Sequence, residues 1–202
     1  MYQFTIPMAL MDFVPELFFG ITAVLLLRDL YGKMSISAYV LLAAGSVDVF
    51  LAGFCKALWK LLYAAGVCDF VALEKMFMPV NSIGLLFVGV SLILMLCRKR
   101  PMLSVAPVVF TGSLPFIVMM VAGLGGLCAG LSVLAAKMKK KPAIVLFVLS
   151  FVLSMGMGYL ASRDATLGWV NWAEQGVNSA SQLCLMLGVI VLHRAELKGW
   201  AK

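Results

Sequence analysis

Between Met102 and Ala136 the chain reads MLSVAPVVFTGSLPFIVMMVAGLGGLCAGLSVLAA, thirty-five residues without a single charge. Arg98, Lys99 and Arg100 precede it, and Lys137, Lys139, Lys140 and Lys141 follow it. One helix of that length, at about 1.5 Å per residue, would be about 50 Å long. The hydrocarbon core of a bilayer is only about 30 Å thick. Pro107, Gly112, Ser113 and Pro115 interrupt the stretch where a continuous helix would have to pass. It therefore reads as two crossings, a short linker helix over 102–114 and a full-length one after it. Both basic runs then share one side of the membrane.

The other apolar runs are Phe13–Leu27, Ile36–Phe54, Met76–Cys97, Pro142–Ala161 and Leu167–Leu192. A composition of 63% hydrophobic and 12% charged residues, with a mean hydropathy of +1.06, lies outside the range of soluble domains. The runs are continuous rather than alternating, which excludes a membrane β-barrel. The expected fold class is all-α, a polytopic transmembrane helical bundle of seven helices arranged as 3+1+3. Six helices are the alternative, if 102–136 crosses once. The chain 1–202 reads as a single membrane-embedded domain. The start of the first run has no basic residues and carries Asp12 and Glu16, unlike a cleavable signal.

Orientation follows from charge. Arg28, Lys33, Arg98, Lys99, Arg100, Lys137, Lys139, Lys140, Lys141, Arg194, Lys198 and Lys202 are twelve of the sixteen basic residues. Seven crossings put all of them on one face and leave Lys56, Lys60, Lys75 and Arg163 on the other. Six crossings allow no better than ten against six. The positive-inside rule thus favours seven helices, an outside N-terminus and a cytoplasmic C-terminus. It also accounts for the net charge of +7 without any nucleic-acid partner.

A faint internal echo accompanies this plan. Pro15 opens the first helix and Pro115 the fifth; Lys33-Met34 and Lys137-Met138 follow them. Val80-Asn81-Ser82 recurs as Val177-Asn178-Ser179 in the third helix of each half. Half-repeats over 12–100 and 115–200, joined by the linker helix 102–114, would have the same orientation. This plan resembles the sugar-exporting SWEET and PQ-loop proteins, whose two triple-helix bundles are parallel repeats. The resemblance is one of architecture. The Pro-Gln motif of those proteins is absent here, and no functional residue is carried over from them.

Polar side chains within the apolar runs point to a site, because each is costly in hydrocarbon. In the last helix Asn171, Glu174, Gln175, Asn178, Ser181 and Gln182 recur at three- and four-residue steps and share one face. That face serves either as interhelical hydrogen bonding or as a cavity lining. Asn81 in the third helix, with Glu74 seven residues before it, matches Asn178 if the repeat holds. The two amides would then face each other across a polar solute. Asp48 stands alone in the second helix, as a neutral bonded carboxyl or as a proton or cation site. Asp12 and Glu16 form a ladder opposite Lys56 and Lys60, which reads as a structural clamp between the first two helices; snorkelling of both lysines to the outer headgroups is the alternative. The expected solute-binding residues are Asp48, Asn81, Glu174, Asn178 and Gln182.

No nucleotide loop, zinc-protease motif or nucleophile elbow occurs in the chain. The five cysteines have no CxxC spacing, and His193 with scattered Met is a poor start for a haem. No cofactor or metal is expected. The leading function is a small carrier for a polar solute in the lipid bilayer, coupled to a proton or cation. A substrate-binding or sensory subunit working with partner proteins is one alternative, and a membrane-embedded lipid-modifying enzyme is the other. A homo-oligomer is compatible with each.

Overall fold

The computed structural model describes residues 4–97, 113–160, 168–195 and 197, and every regular element in them is helical. The helices are α1 (Ile6–Met11), α2 (Phe13–Leu30), α3 (Ile36–Ala64), α4 (Val71–Lys75), α5 (Phe77–Cys97), α6 (Leu114–Lys137), α7 (Lys141–Leu160) and α8 (Gly168–Arg194). With α1 joined to α2 and α4 to α5, they make six spans long and apolar enough to cross a membrane. The chain is a multi-pass helical membrane protein. Helices are the natural solution in lipid, where every backbone N–H and C=O must find its partner within the segment.

The number of spans among the described residues is that of the six-helix alternative; the linker helix expected over 102–114 falls almost wholly outside them.

Local chemistry sets the helix ends. Ser35 caps α3, its hydroxyl accepting the Ala38 N–H at 3.3 Å. The other end of α3 closes in a Schellman turn: Val67 N–H donates to Leu62 C=O and Gly66 N–H to Tyr63 C=O, with Gly66 at φ +68°. The end of α6 closes the same way, Lys140 to Ala135 and Lys139 to Ala136. There the left-handed position is occupied by Lys139, at φ 57°.

The helices form a closed ring in which α2 packs on α3, α3 on α5, α5 on α6, α6 on α7, α7 on α8, and α8 back on α2. Four of the six seams are antiparallel. On the α3–α5 seam, for example, Gly45 meets Phe87 and Val88 while Lys56 meets Phe77. Two seams are parallel. Along α5–α6 the pairs are Asn81 with Met120, Gly89 with Gly123 and Gly126, and Leu92 with Gly130, both numbers rising together. Along α2–α8, Asp29 meets His193 at one end, and Glu16 shares a cavity with Glu174 toward the other. Because α5 and α6 are parallel, Cys97 and Leu114 stand at opposite ends of the bundle. Lys33 and Lys137–Lys141 accordingly gather at one end, here termed the basic end.

The α5–α6 seam is close because it is lined with glycine. A methyl group added to Gly123 would come within 2.4 Å of the Leu85 carbonyl carbon, and one on Gly89 within 2.4 Å of the Gly123 oxygen. Small residues let backbones approach where apolar side chains gain nothing over lipid by pairing.

The two halves of the ring are filled differently. Toward the basic end Leu30, Leu42, Leu92, Leu134, Phe147 and Leu192 are fully buried and pack in one apolar cluster. Toward the other end the interior becomes polar.

Candidate binding cavity

The polar half holds a partly open cavity of about 60 Å³. Asp12, at the junction of α1 and α2, and Glu16 on α2 line one wall; α3 adds Gly53, Lys56, Ala57 and Lys60. Glu174, Gln175 and Asn178 on α8 form the opposing polar wall, and Phe77 and Met157 complete it. Asn178 lies ten residues into α8 and Lys56 eight residues from the end of α3, about 12–15 Å from the helix ends. The site is therefore within the bundle rather than on its rim.

The charges in it are unequally paired. Lys60, buried, has its Nζ 2.7 Å from Asp12 Oδ2, an ion pair without good hydrogen-bond alignment. This is one rung of the ladder expected between the first two helices. The second rung does not close. Lys56 Nζ instead sits 4.2 Å from the centre of the Phe77 ring, a cation–π contact. The Glu16 carboxylate occupies the notch left by Gly53, where a Cβ would come within 2.1 Å of it. Among the described residues no ion pair reaches Glu16, Glu174 or Lys56.

Gln175 is the most informative side chain. It is only 3% exposed, and neither its amide oxygen nor its amide nitrogen has a hydrogen-bond partner. A buried amide left in this way costs about 1–3 kcal/mol, so a group that pairs with it is favoured there.

The polar face of α8 serves two purposes. Ser181 is a structural bond to α7: its hydroxyl donates to the Ser150 carbonyl at 2.8 Å and meets Ser154 Oγ at 2.6 Å. One turn and more before it, Glu174, Gln175 and Asn178 turn to the cavity.

Of the residues expected to bind solute, Glu174 and Asn178 line the cavity together. Asp48, Asn81 and Gln182 are not among its lining residues. Asn81 is buried on the α5–α6 seam, its Nδ2 3.5 Å from Met120 Sδ, rather than across the cavity from Asn178. Asp48 is half-buried on α3, its Cβ against Gly84 of α5. Gln182 lies a turn below the cavity, with its amide oxygen buried and unpartnered.

A second polar cluster, at the basic end of the α2–α8 seam, was not singled out from the sequence. Asp29 is 1% exposed and its Oδ2 lies 2.7 Å from His193 Nδ1. Arg28 Nη2 lies 2.8 Å from His193 Nε2. A single neutral tautomer satisfies both contacts: Nδ1–H donates to Asp29, and Nε2 accepts from Arg28. The Lys33 ammonium donates to the Leu197 carbonyl beside it. These contacts depend on α2 and α8 being parallel neighbours, for which no local pattern gives a signal.

Among the described residues no three His, Cys, Asp or Glu side chains are grouped to hold a metal ion, and Cys55 and Cys68 are both free. Compared with known proteins, the chain matches no family model, no curated protein and no solved structure.

Proposed function

We propose that the protein is a small membrane carrier for a polar solute, which binds in the cavity between α2, α3 and α8. The observation that carries this reading is a polar cavity within a transmembrane bundle, lined by Glu16, Lys56, Glu174 and Asn178, with the unpartnered amide of Gln175 buried beside it. Polar groups at such a depth are costly unless they meet a partner or a solute. Glu174 and Asn178 flank Gln175 and are the binding residues that sequence and geometry support together.

Three carboxylates (Asp12, Glu16 and Glu174) and two ammoniums (Lys56 and Lys60) face the cavity. The carboxyl groups outnumber the ammoniums by one, and in a medium of low dielectric constant an unmatched carboxyl holds a proton or a cation. A coupled ion is therefore part of the proposal, with Glu16 and Glu174 better placed to carry it than Asp48.

The two parallel seams support the half-repeat reading. Exchanging α2, α3 and α5 with α6, α7 and α8 maps each seam of the ring onto another of the same direction. Two equally oriented triple-helix bundles that rock against each other would expose the cavity first to one face and then to the other. The apolar cluster closes the basic end in the present arrangement. By the positive-inside rule that end is cytoplasmic, and the cavity belongs to the outer half.

The test is efflux from proteoliposomes loaded with a defined mixture of amino acids, sugars and polyols, followed by mass spectrometry. Selective loss of some solutes, abolished by Glu174→Gln, is the expected result. Retention of every solute as in protein-free liposomes would overturn the carrier reading.

A further inference from the structure

We propose that the solute of this cavity is a small zwitterion, carrying one ammonium and one carboxylate group on a skeleton of about five or six heavy atoms. The proposal rests on the reading of the cavity as a solute site.

Size gives the first constraint. A space of at least about 10–15 Å³ is needed to hold even one water molecule, so 60 Å³ is room for only a few. A solute that replaces them atom for atom has about as many heavy atoms. Glycine has five, whereas a hexose has twelve and would extend beyond the cavity.

Charge gives the second. Once Lys60 has paired with Asp12, the groups left facing the cavity are two carboxylates, Glu16 and Glu174, and one ammonium, Lys56. These three are near one another without forming an ion pair of their own. A neutral polyol would leave all of them desolvated and unmatched. A simple cation would satisfy the carboxylates but face Lys56, and a simple anion would face two carboxylates. A zwitterion answers both signs: its ammonium meets Glu174 and Glu16, and its carboxylate meets Lys56. Such charge-assisted hydrogen bonds are about twice as strong as neutral ones.

Gln175 gives the third. Its buried, unpartnered amide lies beside the cavity, so a small turn of the side chain on binding would offer its N–H to the solute carboxylate and its oxygen to the ammonium. The site then matches both poles of one molecule.

The experiment is isothermal titration calorimetry of the purified, detergent-solubilised full chain with glycine, methylammonium, acetate and glycerol. Glycine should bind saturably and at least tenfold tighter than either half-molecule, with glycerol silent. In Glu174→Gln and Lys56→Met, each required to elute as the wild type does in gel filtration, glycine affinity should fall at least tenfold. The comparison of ligands on the wild type needs no variant to fold. Glycine binding no tighter than methylammonium or acetate would overturn the proposal, as would binding of none of the four. Selective efflux of sugars or polyols alone from the proteoliposomes would overturn the zwitterion and leave the carrier standing.

Discussion

Replacing Gly123 by alanine tests a close backbone approach between α5 and α6. The added methyl would come within 2.4 Å of the Leu85 carbonyl carbon and 2.5 Å of the Leu86 nitrogen, both backbone atoms that cannot rotate away. Ordinary contact begins near 3.4 Å, so α5 and α6 must separate by about 1 Å. Gly89 and Gly126, which pack on the same seam, lose their contacts as well. Overpacking of this kind costs about 1–3 kcal/mol, and a clash with backbone belongs at the upper end. Alanine returns roughly 0.5–1 kcal/mol as the better helix former, leaving a net loss of about 2 kcal/mol. Gly156 on α7 is the control: nothing lies within 4 Å of a Cβ there, so Gly156→Ala should be neutral or stabilise by up to about 1 kcal/mol. Equilibrium unfolding of the two variants in mixed micelles should show opposite signs, separated by roughly 2–3 kcal/mol. Equal effects would mean that α5 and α6 do not meet through these glycines, and the parallel seam would lose its support.

Lys60→Met removes one partner of a buried ion pair and should destabilise the protein by about 3–5 kcal/mol. The double variant Asp12→Leu with Lys60→Met should recover most of that loss in the same unfolding assay, because no uncompensated charge remains. Lys139→Gly relieves a left-handed backbone position at the end of α6 and should raise stability by about 1 kcal/mol. Exposed Cys68 and Cys97 lie at opposite ends of the bundle. With the other cysteines removed, a membrane-impermeant thiol reagent on intact cells should label Cys68 and spare both Cys97 and a cysteine placed at Lys140. Labelling that separates Cys97 from position 140 would contradict the parallel arrangement of α5 and α6.

Much of this protein was legible in its residues. Apolar length is a local property, so the spans over Ile36–Ala64 and Gly168–Arg194 follow from composition alone. The polar face of α8 was equally visible as a three- and four-residue rhythm, and two of its members, Glu174 and Asn178, line the cavity. Opposed charges four residues apart at the start of α2 and on α3 pointed to a contact, and Lys60–Asp12 is one. The basic runs flanking 102–136 implied a shared side, in keeping with the parallel course of α5 and α6.

Only the tertiary structure decided which polar residues meet. The α8 face divides into Ser181, bonded to α7, and Gln175, unpartnered in the cavity, although both belong to one stripe. The second charge rung opens into a site instead of closing, because Gly53 gives Glu16 a place beside α3 and Phe77 takes the Lys56 ammonium. Asn81 turns to Met120 and leaves Asn178 without the expected counterpart. Asp29 and His193, 164 residues apart, pair only because α2 and α8 are neighbours. The physical reason is the solvent. In lipid an apolar helix face packs as well against acyl chains as against another helix, so hydrophobic pattern identifies the spans but not their neighbours. Partner choice falls to glycine notches and a few polar contacts, and these become visible only when the helices stand side by side.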